Sequence, residues 1–208
     1  MKIAVLANNV LKEEFLSKKI PSTVETIMVG SLSQLLHVKN ADAFFDLEFV
    51  LDNQRIRRIS EFLPKPVFVN SVINTLSEIG QPFIRMNAWP TFLERNISEI
   101  VTAEGQKKST KEVLDTLEWS FQFVPDVSGM ISARIVAMII NEAYYTIDDD
   151  VSSKKEIDIA MKLGTSYPFG PFEWSEKIGL KNIYGLLLAL GKTDTRYSIS
   201  ESLEKEIK

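Results

Sequence analysis

The sequence predicts an α/β domain built on a mostly parallel sheet, followed by an all-α domain. Three observations carry that prediction. Residues 1–124 alternate short β-rich apolar runs with polar amphipathic segments, which is the signature of βαβ units. Several of those runs are apolar at nearly every position, as strands covered by helices on both faces must be. Between Pro125 and Gly129, proline, aspartate, serine and glycine interrupt both periodicities, and only helical spacing follows, so the domains are read as 1–124 and 125–208.

Taken in order, the expected strands are Lys2–Ala7, Val24–Gly30, Ala41–Phe49, Pro66–Asn70, Phe83–Trp89 and Ile97–Ala103. Ser109 and Glu112 stand at capping-box spacing, which opens a helix there that ends near Gln122. Past the boundary, Ile131–Ile147 is apolar on most faces, as suits a helix buried in a core, between domains or between subunits. Ser153 and Glu156 form a second capping-box pair, opening a helix that Gly164 stops. Pro168, Gly170 and Pro171 turn the chain rigidly into a helix over Glu173–Ile178, and a further helix ends at Gly191. The final SLEKEIK reads as a solvated helical tail.

Composition excludes several classes. An apolar content of 45% is that of a globular chain with a real core. The net charge of −4 comes from interspersed acids and bases, so no basic field suggests nucleic acid, and Arg55–Arg58 reads as a solvated helix face. With no cysteine, disulfides and thiolate chemistry are out, and a reducing cytoplasm is the expected setting. No apolar run approaches the roughly 18 residues of a membrane span. The N-terminal MKIAVLANNVLKEEF becomes charged too early for a signal peptide. His37, the only histidine, lies between the second and third strands, where a surface or packing role is expected. Asp148, Asp149 and Asp150 are consecutive and rarely converge on one ion, so no metal is expected.

One stretch is more specific. Gly129, Arg134, Asn141, Glu142 and Ala143 are followed in uninterrupted register by Asp158, Ala160, Met161, Lys162, Gly164, Tyr167, Pro168, Gly170, Pro171 and Phe172. In these residues the chain resembles the helical domain of the 3-hydroxyacyl-CoA dehydrogenase family. The resemblance implies a preceding Rossmann-like domain, here shortened, together with oxidoreductase activity in fatty acid metabolism, NAD as cofactor, an acyl-CoA thioester as partner and a homodimer formed through the helical domain.

Catalysis in that family, as the resemblance implies it, uses a histidine acid/base, a glutamate that orients it, and serine and asparagine that bind the substrate oxygen. Imidazole moves a hydroxyl proton near neutral pH, and a buried carboxylate stabilises the imidazolium. Glu99 falls at the glutamate position. Aligning on Glu99 puts Asn87 in place of the histidine, whereas aligning on Pro90 puts Met86 there. The Asn-Thr-Ser loop appears as Asn70-Ser71-Val72, so Ser71 serves only after a one-residue shift, and the asparagine before Arg134 is Ala133. The candidates are therefore Glu99, Asn87 and Ser71 for catalysis, with Asn70 and Arg134 for substrate binding.

The cofactor side departs further. A dinucleotide turn needs glycines so that backbone N–H groups can approach the pyrophosphate at a helix N-terminus. Here the first strand runs on through Leu6, Ala7, Asn8, Asn9, Val10 and Leu11, and the second ends in Val29-Gly30 rather than an acidic residue. No cofactor is expected in the usual mode. Asn8 and Asn9 either take a left-handed turn or form a plain strand-to-helix connection.

Three readings stand side by side: a catalytically silent member with an acyl-CoA-type cleft, a working enzyme with an unusual site, and a structural partner. Glu99 buried beside Asn87 favours the second; Glu99 in solvent removes it.

Overall fold

The computed structural model describes all residues from Met1 to Lys208. They form two compact units, Met1–Met130 and Ile131–Lys208.

The first unit holds a seven-stranded sheet: β1 (Lys2–Leu6), β2 (Glu25–Val29), β3 (Ala43–Asp46), β4 (Val67–Asn70), β5 (Ile84–Met86), β6 (Ser98–Val101) and β7 (Phe121–Phe123). Their spatial order is β2-β1-β3-β4-β5-β6-β7. Neighbours are parallel throughout except at β5 and β6, which run antiparallel. Helices α1 (Asn9–Ser17), α2 (Leu32–His37), α3 (Asn53–Ile59), α4 (Leu76–Ile79) and α5 (Lys107–Thr116) lie between them. Strand residues alternate between two cores. Ile3, Val5, Phe45 and Phe68 face Leu11, Phe15, Val113 and Trp119, while Ala4, Leu6, Phe44 and Val69 face Leu35, Ile56 and Ile59. This double burial is why the strands read as continuous apolar runs.

The strands end earlier than their apolar runs. β3 stops at Asp46, whose carboxylate pairs with Arg55, although Leu47 N–H still bonds Leu6 O at 2.9 Å. The stretch after β6 corrects the sequence expectation more deeply. Helix α5 starts at Lys107, so Ser109 caps nothing; its Oγ donates to Gln106 O at 3.0 Å from inside the first turn. The helix also ends before Gln122. Glu118 takes a left-handed conformation, φ 56°, which turns the chain into an unexpected seventh strand. Trp119 anchors that turn with its ring edge-on to Phe15 at 5.0 Å.

The second unit is helical: α6 (Ser132–Asp148), α7 (Lys154–Thr165), α8 (Pro171–Ile178), α9 (Leu180–Gly191) and α10 (Glu201–Ile207). Helix α6 buries Ala133, Val136, Ala137, Ile140, Asn141 and Tyr144, the stripe of a 3.6-residue period. The Ser153–Glu156 capping box forms as expected. Gly164 does not stop α7, which runs one residue further to a left-handed Ser166. The expected solvated tail is α10, and it is anchored rather than free. Leu203 is fully buried, Ser200 Oγ donates to Asp148 Oδ2 at 2.5 Å, and Ser202 N–H donates to Asp148 Oδ1 at 2.9 Å. No helix is long and apolar enough to cross a membrane.

Candidate functional site

Strand order reverses at β1, since β2 and β3 lie on its opposite sides. In open α/β sheets ligands bind outside the carboxyl ends of strands at such a switch point. Those ends are Leu6, Asp46, Asn70 and Met86, brought level by the pairs Leu6–Asp46 and Asn70–Met86.

At the β1 end, Ala7 N–H donates to Val29 O at 3.2 Å, and Asn8 is extended with φ −72° and ψ 176°. The left-handed alternative is not taken. Asn8 Oδ1 accepts the Leu11 N–H at 3.0 Å, so α1 caps its own N-terminus with a side chain. A pyrophosphate needs those donors free and the backbone bare. The residues present do not fit that group in the usual mode. At the β3 end, Asp46 is buried and holds Arg55 through two bonds of 2.8 and 2.5 Å.

At the β4 end, Asn70 is a backbone staple. Its Nδ2 donates to Leu47 O at 3.1 Å and Ala88 O at 3.0 Å, and its Oδ1 accepts Ala88 N–H at 3.0 Å. Ser71 is buried, and its Oγ donates to Asn74 O at 2.9 Å inside a turn. The loop beyond is gripped by Arg85 of β5, a side chain with no exposed surface. Arg85 Nε donates to Ser71 O at 2.9 Å, Nη2 to Val72 O at 3.1 Å, and Nη1 pairs with Asp126. Burial pulls its guanidinium below the ordinary value, against the opposing charge of Asp126. Sequence reasoning passed over Arg85, although a charged residue inside the apolar run FIRM was a visible signal.

Asn87 and Glu99 come together where β5 meets antiparallel β6. Both are buried, at 4% and 7% exposure, and Asn87 N–H donates to Glu99 O at 3.3 Å. Glu99 also acts electrostatically on Arg95, whose guanidinium burial lowers while the Glu99 charge raises it. The condition that would have removed a working carboxylate, Glu99 in solvent, is not met. His37 is exposed near the end of α2, with Nδ1 2.6 Å from Ser33 O. No group of three or more His, Cys, Asp or Glu side chains is placed to hold a metal ion.

In the second unit, Arg134 lies over the Tyr197 ring at 5.8 Å and lines a groove of about 620 Å³ with Ile135, Met138, Ile139 and Met161. The motif Asp158 to Phe172 turns out to be architectural. Asp158 Oδ1 accepts the Phe172 N–H at 2.8 Å, so a carboxylate of α7 caps the N-terminus of α8. Asn141 ties α6 to the segment before α10 through Ser198 O at 2.7 Å and Ser200 N–H at 3.1 Å.

Residues 129–208 match the model of the 3-hydroxyacyl-CoA dehydrogenase C-terminal domain. That stretch belongs to the 3-hydroxyacyl-CoA dehydrogenase family. The chain is 45% identical over 124 residues to 3-hydroxyadipyl-CoA dehydrogenase of Escherichia coli K12, covering 56% of this chain and 26% of that protein. It is 35% identical over 116 residues to 3-hydroxybutyryl-CoA dehydrogenase of Clostridioides difficile, covering 53% and 41%. The chain thus spans less than half the length of these two relatives. Among solved structures, (S)-3-hydroxybutyryl-CoA dehydrogenase from Ralstonia eutropha superimposes with a TM-score of 0.73 at 14% identity, over 99% of this chain and 93% of that one. That likeness shows the fold: a Rossmann-like sheet followed by the family's helical domain.

Proposed function

We propose that this member of the 3-hydroxyacyl-CoA dehydrogenase family is divergent, binding an acyl-CoA-type thioester without the usual NAD-dependent turnover. The observation that carries the reading is the β1–α1 turn, where Asn8 caps α1 and no glycine opens the backbone to a pyrophosphate. Asn87 supports it, because an amide at the histidine position moves no proton at useful pH. Glu99, Asn87 and Ser71 remain the proposed reactive positions, with Asn70 and Arg134 proposed for the substrate. The test is calorimetric titration with acetoacetyl-CoA, with and without saturating NADH. Thioester heat indifferent to NADH is the expected result, and heat strengthened by NADH overturns it in favour of dehydrogenase activity.

A second reading is an active oxidoreductase on 3-hydroxyacyl-CoA, in fatty acid metabolism, with an unusual site. The burial of Glu99 beside Asn87 favours it. Both readings place a cytoplasmic protein that dimerises through its helical unit. The exposed Ile135 beside the apolar groove supports the dimer. Light scattering on wild type and Ile135→Glu tests it, and a monomeric wild type sinks it.

A further inference from the structure

The segment after Asn87 is held in an unusual conformation by two charged residues near the end of α1. Thr91 has φ 78°, a left-handed backbone that β-branched residues rarely adopt. Its hydroxyl is buried with no hydrogen-bond partner, so nothing local compensates for the geometry. Such a residue persists only where its surroundings over-determine it.

Those surroundings are specific. Glu14, only 8% exposed, accepts the Thr91 N–H at 2.7 Å through Oε1, a charge-assisted bond. Lys18 Nζ donates to Leu93 O and Arg95 O, both at 3.1 Å, and lies 4.8 Å from the centre of the Trp119 ring. Upstream of Thr91, Asn70 holds both backbone groups of Ala88. Asn87 is thus the residue just before a strap pinned at Ala88, Thr91, Leu93 and Arg95, and Arg95 in turn feels the charge of Glu99.

We infer that Glu14 and Lys18 are positioning residues that keep the strap Ala88–Arg95 strained at Thr91 and so fix the placement of Asn87 relative to Glu99. Its functional meaning rests on the thioester-binding reading above, but the clamp itself can be tested without ligand. Burial of Phe92 and Leu93 alone, at 2% and 1% exposure, would make the strap a packing element with no influence on Asn87.

Three variants separate these cases: Thr91→Gly, which accepts positive φ without strain, Glu14→Ala, which removes the acceptor, and Glu14→Gln, which keeps a neutral one. The primary readout is the NMR resonance and exchange rate of the Asn87 side-chain amide. Glu14→Ala is expected to shift that resonance and speed its exchange, while Glu14→Gln, which keeps an acceptor, and Thr91→Gly, which keeps the bonded N–H and its φ, stay near wild type. Thr91→Gly is further expected not to lower Tm, whereas Glu14→Ala is expected to weaken acetoacetyl-CoA binding by about fivefold, because the loss is one of preorganisation. Unmoved Asn87 resonances in Glu14→Ala overturn the inference. A wild-type chain that binds no thioester sinks the functional reading, and the amide resonances still decide the clamp.

Discussion

Asp158 and Gly170 approach so closely that residue 170 has no room for a side chain. A Cβ there would stand 2.2 Å from Asp158 Oδ1 and 2.4 Å from its Cγ. The glycine is needed for that approach rather than for its backbone angles, since its φ is −71°. The approach lets the Asp158 carboxylate reach the Phe172 N–H and Glu173 N–H at the start of α8.

Gly170→Ala is therefore expected to destabilise the chain by about 1–3 kcal/mol, the range for overpacking. Asp158→Gly removes the whole obstacle, its Cβ at 2.4 Å included, along with the cap, so the double variant costs less than the sum of the single ones. Urea unfolding of the four proteins measures the coupling, and strict additivity would contradict the contact.

Arg85 makes a second prediction. Replacing it with methionine leaves the carbonyls of Ser71 and Val72 without a buried guanidinium and Asp126 with only the Leu76 N–H. The expected loss is about 3 kcal/mol or more. Arg85→Lys recovers only part of it, because one ammonium cannot span acceptors on two segments. Thermal melts of both variants check the order.

Asn70→Ala separates scaffold from substrate contact. The substitution leaves the Ala88 N–H and two carbonyls without their amide partner, at a cost of about 1–3 kcal/mol. A fall in Tm is expected. Lost acetoacetyl-CoA affinity at unchanged Tm would instead assign Asn70 to the ligand.

Acid stability follows from three carboxyls that are held below their ordinary values: Asp148 by the Ser200 hydroxyl, Glu156 by the Ser153 hydroxyl, and Glu173 by Lys162. A depressed carboxyl contributes stability that is present above its unfolded pKa and lost as pH falls through its folded one. The loss therefore begins as pH drops below the ordinary 4.5 of the glutamates and 3.8 of Asp148, and it continues downward. Asp148→Asn should flatten the dependence of Tm on pH over that window. An unchanged slope would remove Asp148 from the account.

Much of this was legible in the sequence where the cause is local. The Ser153–Glu156 box, the proline at the start of α8 and the end of α9 at Gly191 each depend on neighbours a few residues away. β7 was not legible, because FQF is too short to carry a period of its own and pairs with β6, more than twenty residues earlier in the chain. Ser109 misled for the same reason. Its spacing to Glu112 was right, but the helix began at Lys107.

By itself the sequence determined the family resemblance, the two-part α/β and helical plan, and the absence of glycine from the turn after β1, since each is written in residue types and short-range spacing. Tertiary structure alone decided where the candidate residues sit and what they touch. It brought Glu99 out of water beside Asn87, turned Asn70 into a staple, gave Asp158 a helix to cap, and set Glu14 against Thr91. Each of these pairs residues distant along the chain, and burial and hydrogen-bond geometry at such distances are settled only by packing.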